Sequence, residues 1–207
     1  MNGSRPSCAI LAGPNGAGKS TIYKNLALPG VFVNADEVAR GLDASNPEAN
    51  SLKAGRLVLE TLNRLIAARQ DFVYETTLSS HQSVNLLRQV GESGYKTLMI
   101  FVALVSPDLH VQRVAQRVSR GGHHIPEPVI RRRYDVAFQN LTACVPLSET
   151  TMIFDNSAAG ARLLLQVSGN TITHQHVDPQ KSFDRRIAAC VAAGLDIPVE
   201  AVLPPAG

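Results

Sequence analysis

Gly13-Pro14-Asn15-Gly16-Ala17-Gly18-Lys19-Ser20-Thr21 follows the apolar run Ser7-Cys8-Ala9-Ile10-Leu11-Ala12 and leads into Ile22-Tyr23-Lys24-Asn25-Leu26. The stretch fills the pattern G-x-x-x-x-G-K-[ST] at a point where a strand turns into a helix, the context that a phosphate-binding loop requires. Gly13, Gly16 and Gly18 let the backbone turn tightly and aim successive N–H groups at a polyphosphate, next to the positive end of the helix that begins near Lys19. Lys19 can reach the outer phosphates, and the Ser20 hydroxyl is placed to ligate the magnesium ion that bridges them. A nucleoside triphosphate, ATP or GTP, together with Mg2+ is therefore expected at residues 13 to 21. The bland alternative is a glycine-rich turn with a solvated lysine, which would not need both the strand and the helix at its flanks.

The rest of the composition fits such a protein. With 207 residues, 44% hydrophobic and 18% charged, the chain can bury a substantial core and needs no second domain. A net charge of +3 does not by itself imply a nucleic-acid partner. Cys8, Cys144 and Cys190 are too far apart to suggest a disulfide framework or a metal knuckle, and read as buried thiols in a reducing compartment. The residues Met1-Asn2-Gly3-Ser4-Arg5-Pro6 lack the apolar core of a signal peptide, and no run is long enough for a membrane span. A cytoplasmic protein without a membrane partner is the expectation.

Along the chain, Val31-Phe32-Val33-Asn34 predicts a short strand ending at Ala35-Asp36-Glu37. Ligands of open α/β sheets gather at the carboxyl edge of the strands, so Asp36 can meet a substrate hydroxyl there; alternatively, Asn34 or Asp36 simply caps the next helix. Asn46-Pro47-Glu48 predicts the opening of a long helix, with Leu52, Gly55, Leu59, Leu62, Leu65 and Ile66 at helical spacing. Asp71 to Ser79 reads as a strand that brings Glu75 and Thr77 to the same rim, although Thr77 could also be an ordinary turn residue. Lys96 to Val105 is apolar on both faces and belongs in the middle of a parallel sheet.

A second informative stretch carries Arg113, Arg117, Arg120, Arg131, Arg132 and Arg133 around Gly121-Gly122-His123-His124-Ile125-Pro126. The spacing of the first three predicts one helix face, and the glycine pair predicts a hinge. The segment reads as an arginine-bearing lid that could neutralise a transferring phosphoryl group, or else as a solvated basic helix. Thr150 to Ser157 predicts the last core strand, with Asp155-Asn156-Ser157 near the nucleotide or substrate. Ser168-Gly169-Asn170 predicts a hairpin turn between residues 162–167 and 171–177, and residues 183–194 a helix. His174 and His176 alternate on one strand face and could ligate a metal, but no third ligand accompanies them.

The order of these motifs resembles the zeta-toxin family of small P-loop kinases, and more closely its compact bacterial branch with a Gly-Gly-His lid, over about residues 7 to 157. The resemblance implies an α/β P-loop NTPase fold, a mainly parallel central sheet flanked by helices, with a helical lid over about 107–143; the hairpin plus helix over about 160–207 departs from the family pattern and reads as a C-terminal appendage to the same single domain. It implies phosphorylation of a sugar hydroxyl by ATP or GTP, typically on UDP-N-acetylglucosamine. Asp36 would be the general base, Lys19 and Ser20 the triphosphate and magnesium ligands, and Glu75 and Thr77 substrate contacts. Of the lid arginines, Arg120 and Arg133 have the spacing of the larger toxins and Arg117 the position of the shorter branch, so all three are candidates. An antitoxin protein is the partner such a family suggests. The alternatives are a kinase of nucleosides, dinucleotides or polynucleotide ends, and a nucleotide-gated ATPase that transfers no group.

Overall fold

The computed structural model describes residues 4–42 and 51–203. Its centre is a seven-stranded sheet of order β2-β3-β1-β4-β5-β6-β7. The strands are β1 (Ser7–Ala12), β2 (Val31–Asn34), β3 (Phe72–Thr76), β4 (Lys96–Ala103), β5 (Thr150–Asp155), β6 (Arg162–Ser168) and β7 (Thr171–Gln175). The first five are parallel, and β6 and β7 add an antiparallel hairpin beside β5. The expected parallel sheet and hairpin are thus both present. As the double-sided apolar run of β4 requires, that strand lies in the middle, paired with β1 on one side and β5 on the other.

Seven α-helices flank the sheet among the described residues: α1 (Lys19–Lys24), α2 (Ala35–Leu42), α3 (Ser51–Ala67), α4 (His81–Glu92), α5 (Pro107–Val118), α6 (Glu127–Cys144) and α7 (Ser182–Leu195). The larger core joins β-sheet residues such as Phe72, Met99 and Phe101 to apolar faces of α3, α4, α6 and α7. A smaller core on the other face gathers Leu11, Ile22, Val73, Ile100 and Val102, where Tyr23 also stacks on Phe32 at 4.4 Å between ring centroids. The stripe of α3 that faces the core is Ala54, Val58, Leu62, Leu65 and Ile66. The expected stripe was right in its second half only: Leu52 is 83% exposed. Periodicity permits either register at the start of this helix, and packing against the sheet selects one. The expected opening at Asn46-Pro47-Glu48 lies outside the described residues, as does the tail after Leu203.

The C-terminal elements are built into the molecule rather than hung on it. Phe183, Ile187, Ala188 and Val191 of α7 enter the main core, and the Arg186 guanidinium stands over the Phe138 ring of α6 at 4.1 Å. At the end of β5, Arg162 bridges Asp155 at 3.3 Å and Asp184 of α7 at 3.0 Å. Asp184 is fully buried and also accepts the Asp178 backbone N–H at 2.9 Å. The triad therefore ties hairpin and helix to the carboxyl edge of the parallel sheet. No helix among the described residues is long and apolar enough to cross a membrane.

Candidate active site

The loop from Gly13 to Thr21 leaves the carboxyl end of β1 in the middle of that edge. Its glycines answer to local geometry. Gly13 has φ +141°, and a Cβ there would come within 1.9 Å of the Val102 carbonyl oxygen; Gly18 has φ +88°, and a Cβ would meet Asn156 Nδ2 at 2.3 Å. Pro14, Asn15 and Ala17 are buried within the turn, whereas Ser20 and Thr21 open α1 on the exposed side. Lys19 is 7% exposed and donates to the Gly13 carbonyl at 2.7 Å. Burial pulls its ammonium below the ordinary lysine value, opposed first by the Glu75 carboxylate and then by that of Asp36. A cation held so far from water is an attractive seat for an anion.

Glu75, near the end of β3, faces the phosphate loop. Its carboxylate lies 3.7 Å from Lys19 Nζ and accepts from the Ser20 hydroxyl at 3.4 Å. A hydroxyl and a carboxylate facing each other are hard oxygen donors of the kind magnesium takes, normally with waters and substrate phosphates completing its shell. Among the described residues no group of three His, Cys, Asp or Glu side chains could hold a metal unaided, His174 and His176 included. Ser20 and Glu75 thus fit a metal that arrives with a nucleotide. Thr77 lies beyond β3, with its hydroxyl 2.7 Å from that of Ser79.

Asp36 is held by the local sequence. The Asn34 side-chain oxygen accepts the backbone N–H of Asp36 at 2.7 Å and that of Glu37 at 3.3 Å, so Asn34 caps α2 and fixes Asp36 in its first turn. The capping reading therefore holds for Asn34, and Asp36 itself sits at the strand's carboxyl end. Its negative charge favours the charged forms of both Lys19 and Arg133.

The arginines divide among several tasks. Arg133, in the second turn of α6, donates to the Asn15 side-chain oxygen at 3.0 Å, and its charge is disfavoured chiefly by burial and supported by Asp36. Arg117 donates to the His123 carbonyl at 3.0 Å, and its charge reaches Lys19. Arg120 does not share the α5 face as its spacing predicted, because the helix ends at Val118 and Arg120 sits exposed in the following turn. Arg131 is taken up by Asp108 at 2.6 Å and Glu127 at 2.7 Å. The α5–α6 pair has a small core of its own in Val114, Ile125 and Ile130. The second half of α6 belongs to the main core through Ala137, Phe138, Leu141 and Cys144.

Three further residues shape the loop. Arg113, one of the basic cluster, donates to the Ser157 carbonyl at 3.2 Å, and Asn156 donates through its side chain to the Ala17 carbonyl at 2.8 Å. The polar cluster after β5 therefore does abut the phosphate loop. His110 carried no sequence signal beyond its place in α5. It is fully buried, and its Nδ1–H donates to the Asn15 carbonyl at 2.7 Å while Nε2 accepts the Leu104 N–H at 3.1 Å. Only the neutral ring can serve both bonds, since imidazolium has no acceptor.

Burial pushes the His110 pKa down to about 4. Between the ordinary value of 6.5 and about 4, the unfolded chain takes up a proton that the folded chain refuses, so stability falls as pH falls through that window. The loss should reach about 3 kcal/mol for a shift of this size. Urea midpoints measured at pH 7 and pH 4.5 should drop less in His110→Gln than in wild type; equal drops would remove His110 from the acid response.

The comparisons with known proteins agree with this architecture. A model of the AAA domain family matches residues 9–138. An uncharacterized protein of Haemophilus influenzae is 27% identical over 123 residues, which is 59% of this chain and 88% of that one. Among solved structures, the PezAT chromosomal toxin-antitoxin system of Streptococcus pneumoniae superposes with a TM-score of 0.60 at 14% identity, over 98% of this chain and 89% of that chain. The AvrRxo1-ORF1:AvrRxo1-ORF2 complex with sulphate ions gives 0.65 at 17% identity, over 90% and 65% respectively. The Pnkp1/Rnl/Hen1 RNA repair complex gives 0.55 at 20% identity, over 67% and 46%. The first two of these likenesses, over 98% and 90% of this chain, extend the shared fold beyond the matched segment. With its phosphate loop, parallel sheet and matched core, the chain belongs to the AAA domain family.

Proposed function

We propose that this protein is a P-loop kinase that transfers the terminal phosphoryl group of ATP or GTP to a hydroxyl of a small molecule. The observation that carries the reading is the position of Asp36, held by the Asn34 cap in the first turn of α2 at the carboxyl end of β2, on the sheet edge that also carries the phosphate loop. An acid on that edge is suited to meet an acceptor hydroxyl. In the reaction the acceptor oxygen bonds to the γ-phosphorus as the bridging oxygen–phosphorus bond breaks, Asp36 takes the hydroxyl proton, and the nucleoside diphosphate leaves. Lys19, the loop N–H groups, Arg117 and Arg133 bear the charge on the phosphates; Arg120 would join them only by moving inward from its exposed turn. Ser20 and Glu75 would hold the magnesium, which supplies further neutralisation of the triphosphate. Glu75 then serves the donor side at least as much as the acceptor, while Thr77 stays a candidate acceptor contact.

The acceptor class we favour is a nucleotide sugar, UDP-N-acetylglucosamine first, acted on as in zeta toxins. The motif order and the fold shared with the PezAT system over most of both chains support it, and the same likeness makes an antitoxin a candidate partner. A polynucleotide end is the second reading, supported by the fold shared with the RNA repair complex. The test is mass spectrometry of a panel of nucleotide sugars, nucleosides and 5′-hydroxyl oligonucleotides after incubation with protein, Mg2+ and ATP or GTP. A phosphorylated nucleotide sugar supports the first reading and a phosphorylated oligonucleotide the second. Nucleotide hydrolysis without any phosphorylated acceptor would point instead to an ATPase.

A further inference from the structure

Asn15 is the third residue of the phosphate loop, yet both of its polar contacts lead away from the loop. It is 7% exposed. Its carbonyl accepts from His110 of α5 at 2.7 Å, and its side-chain oxygen accepts from Arg133 of α6 at 3.0 Å. The asparagine is thus the point at which the loop is joined to both helices of the arginine-bearing segment.

Two features limit how Arg133 can move. The next residue, Tyr134, is buried and donates to the Leu104 carbonyl at 3.3 Å, and Asn140 farther along α6 donates to the Leu78 carbonyl at 2.8 Å. The backbone that carries Arg133 is therefore fixed to the β4 and β3 ends of the sheet. A hinge at Gly121-Gly122 can move the tip of the segment, but Arg133 must reach a phosphate by turning its own side chain.

The partner it leaves is suited to that. A carboxamide oxygen gives a guanidinium one neutral acceptor, whereas a phosphate gives several charged ones that bind about twice as strongly. Resting on other rotamers would cost order that a weak acceptor preserves.

Resting on the kinase reading above, we propose that Asn15 is a positioning residue that holds Arg133 in register in the nucleotide-free protein and releases it to the terminal phosphate by side-chain exchange, with α6 in place. The loop then senses its own occupancy: a triphosphate draws the arginine off Asn15, and a diphosphate does not.

The test uses full-length protein labelled with 15N-arginine, in which the Arg133 Nε–H signal is identified by its loss in Arg133→Lys. In the nucleotide-free state that signal should differ between wild type and Asn15→Ala. The magnesium complex of a non-hydrolysable β,γ-imido ATP analogue should then bring the two to one position, and ADP should not. In Asn15→Asp, a carboxylate keeps the guanidinium, so the signal should stay put on addition of the analogue. Phosphoryl transfer by Asn15→Asp should fall to within about threefold of Arg133→Ala, and joining the two changes should add little. Coincident free-state signals, or equal shifts with ADP and the analogue, overturn the proposal. An analogue that fails to bind by calorimetry overturns both this and the kinase reading, whereas one that binds without moving Arg133 overturns the exchange alone. Absence of transfer to any acceptor in wild type, with the Arg133 shift intact, overturns only the kinase reading.

Discussion

Asp36→Asn is expected to lower phosphoryl transfer by about two to four orders of magnitude, the usual loss when a general base is removed, while nucleotide still binds. The substitution keeps the size of the side chain and leaves the Asn34 cap, which engages the backbone N–H of residue 36 and not its carboxylate. Helix α2 should therefore stay in place, and the effect should fall on kcat. Asp36 lies outside the loop contacts of Lys19, whose closest partner is the Gly13 carbonyl at 2.7 Å. Removing its negative charge should not weaken an incoming triphosphate. Calorimetric titration with the imido analogue, alongside kcat with the acceptor found in the panel, separates the two quantities. Transfer at the wild-type rate would take the base role from Asp36; lost nucleotide binding would mean that its charge organises the donor side instead.

The second large effect is on stability. Arg162→Met keeps the aliphatic stem but strips the positive charge from a triad whose Asp184 is fully buried and whose Asp155 is 9% exposed. Breaking a buried pair from one side typically costs about 3–5 kcal/mol, because the remaining charge stays desolvated. At roughly 2–4 °C per kcal/mol for a chain of this size, Tm should fall by about 10 °C. The companion Arg162→Met/Asp184→Leu should recover part of that loss, since an apolar replacement of both partners removes the uncompensated charge. If the double variant is less stable than Arg162→Met alone, Asp184 matters through its bond to the Asp178 N–H rather than through Arg162. Thermal melts of the three proteins at pH 7 decide between these.

The elements that were readable in the sequence are those whose signals are local. The loop at residues 13–21, the double-sided apolar strand β4, the Gly169-Asn170 turn and helix α7 each declare themselves within a dozen neighbouring residues. Asn34 was legible as a cap for the same reason. What escaped depends on contacts between segments far apart in the chain. His110 looks like any polar residue of an amphipathic helix until α5 folds over Asn15 and Leu104. Asn15 occupies a variable place in the loop pattern, and nothing near it announces Arg133. Arg162 and Asp184 meet only because a hairpin and a helix pack on the same strand end. The arginine cluster illustrates the middle ground. Spacing alone grouped Arg113, Arg117 and Arg120, but the helix stops before the third, and Arg131 is occupied by two nearby carboxylates.

The strand order also carries a consequence for how the chain is made. Strand β1 leaves the ribosome well before its neighbours, β3 and β4, which pair with it through Cys8 beside Phe72 and Ser7 beside Lys96. At roughly 5–20 residues per second of synthesis, β1 waits on the order of seconds before either neighbour exists. Throughout that interval an apolar strand has both hydrogen-bonding edges open, which is the condition that favours pairing with other chains. By contrast, β6 meets β7 almost as soon as both are made. Yield during expression should therefore respond to what shields the nascent β1, such as a holdase or a lower temperature, more than to changes in the late-made hairpin.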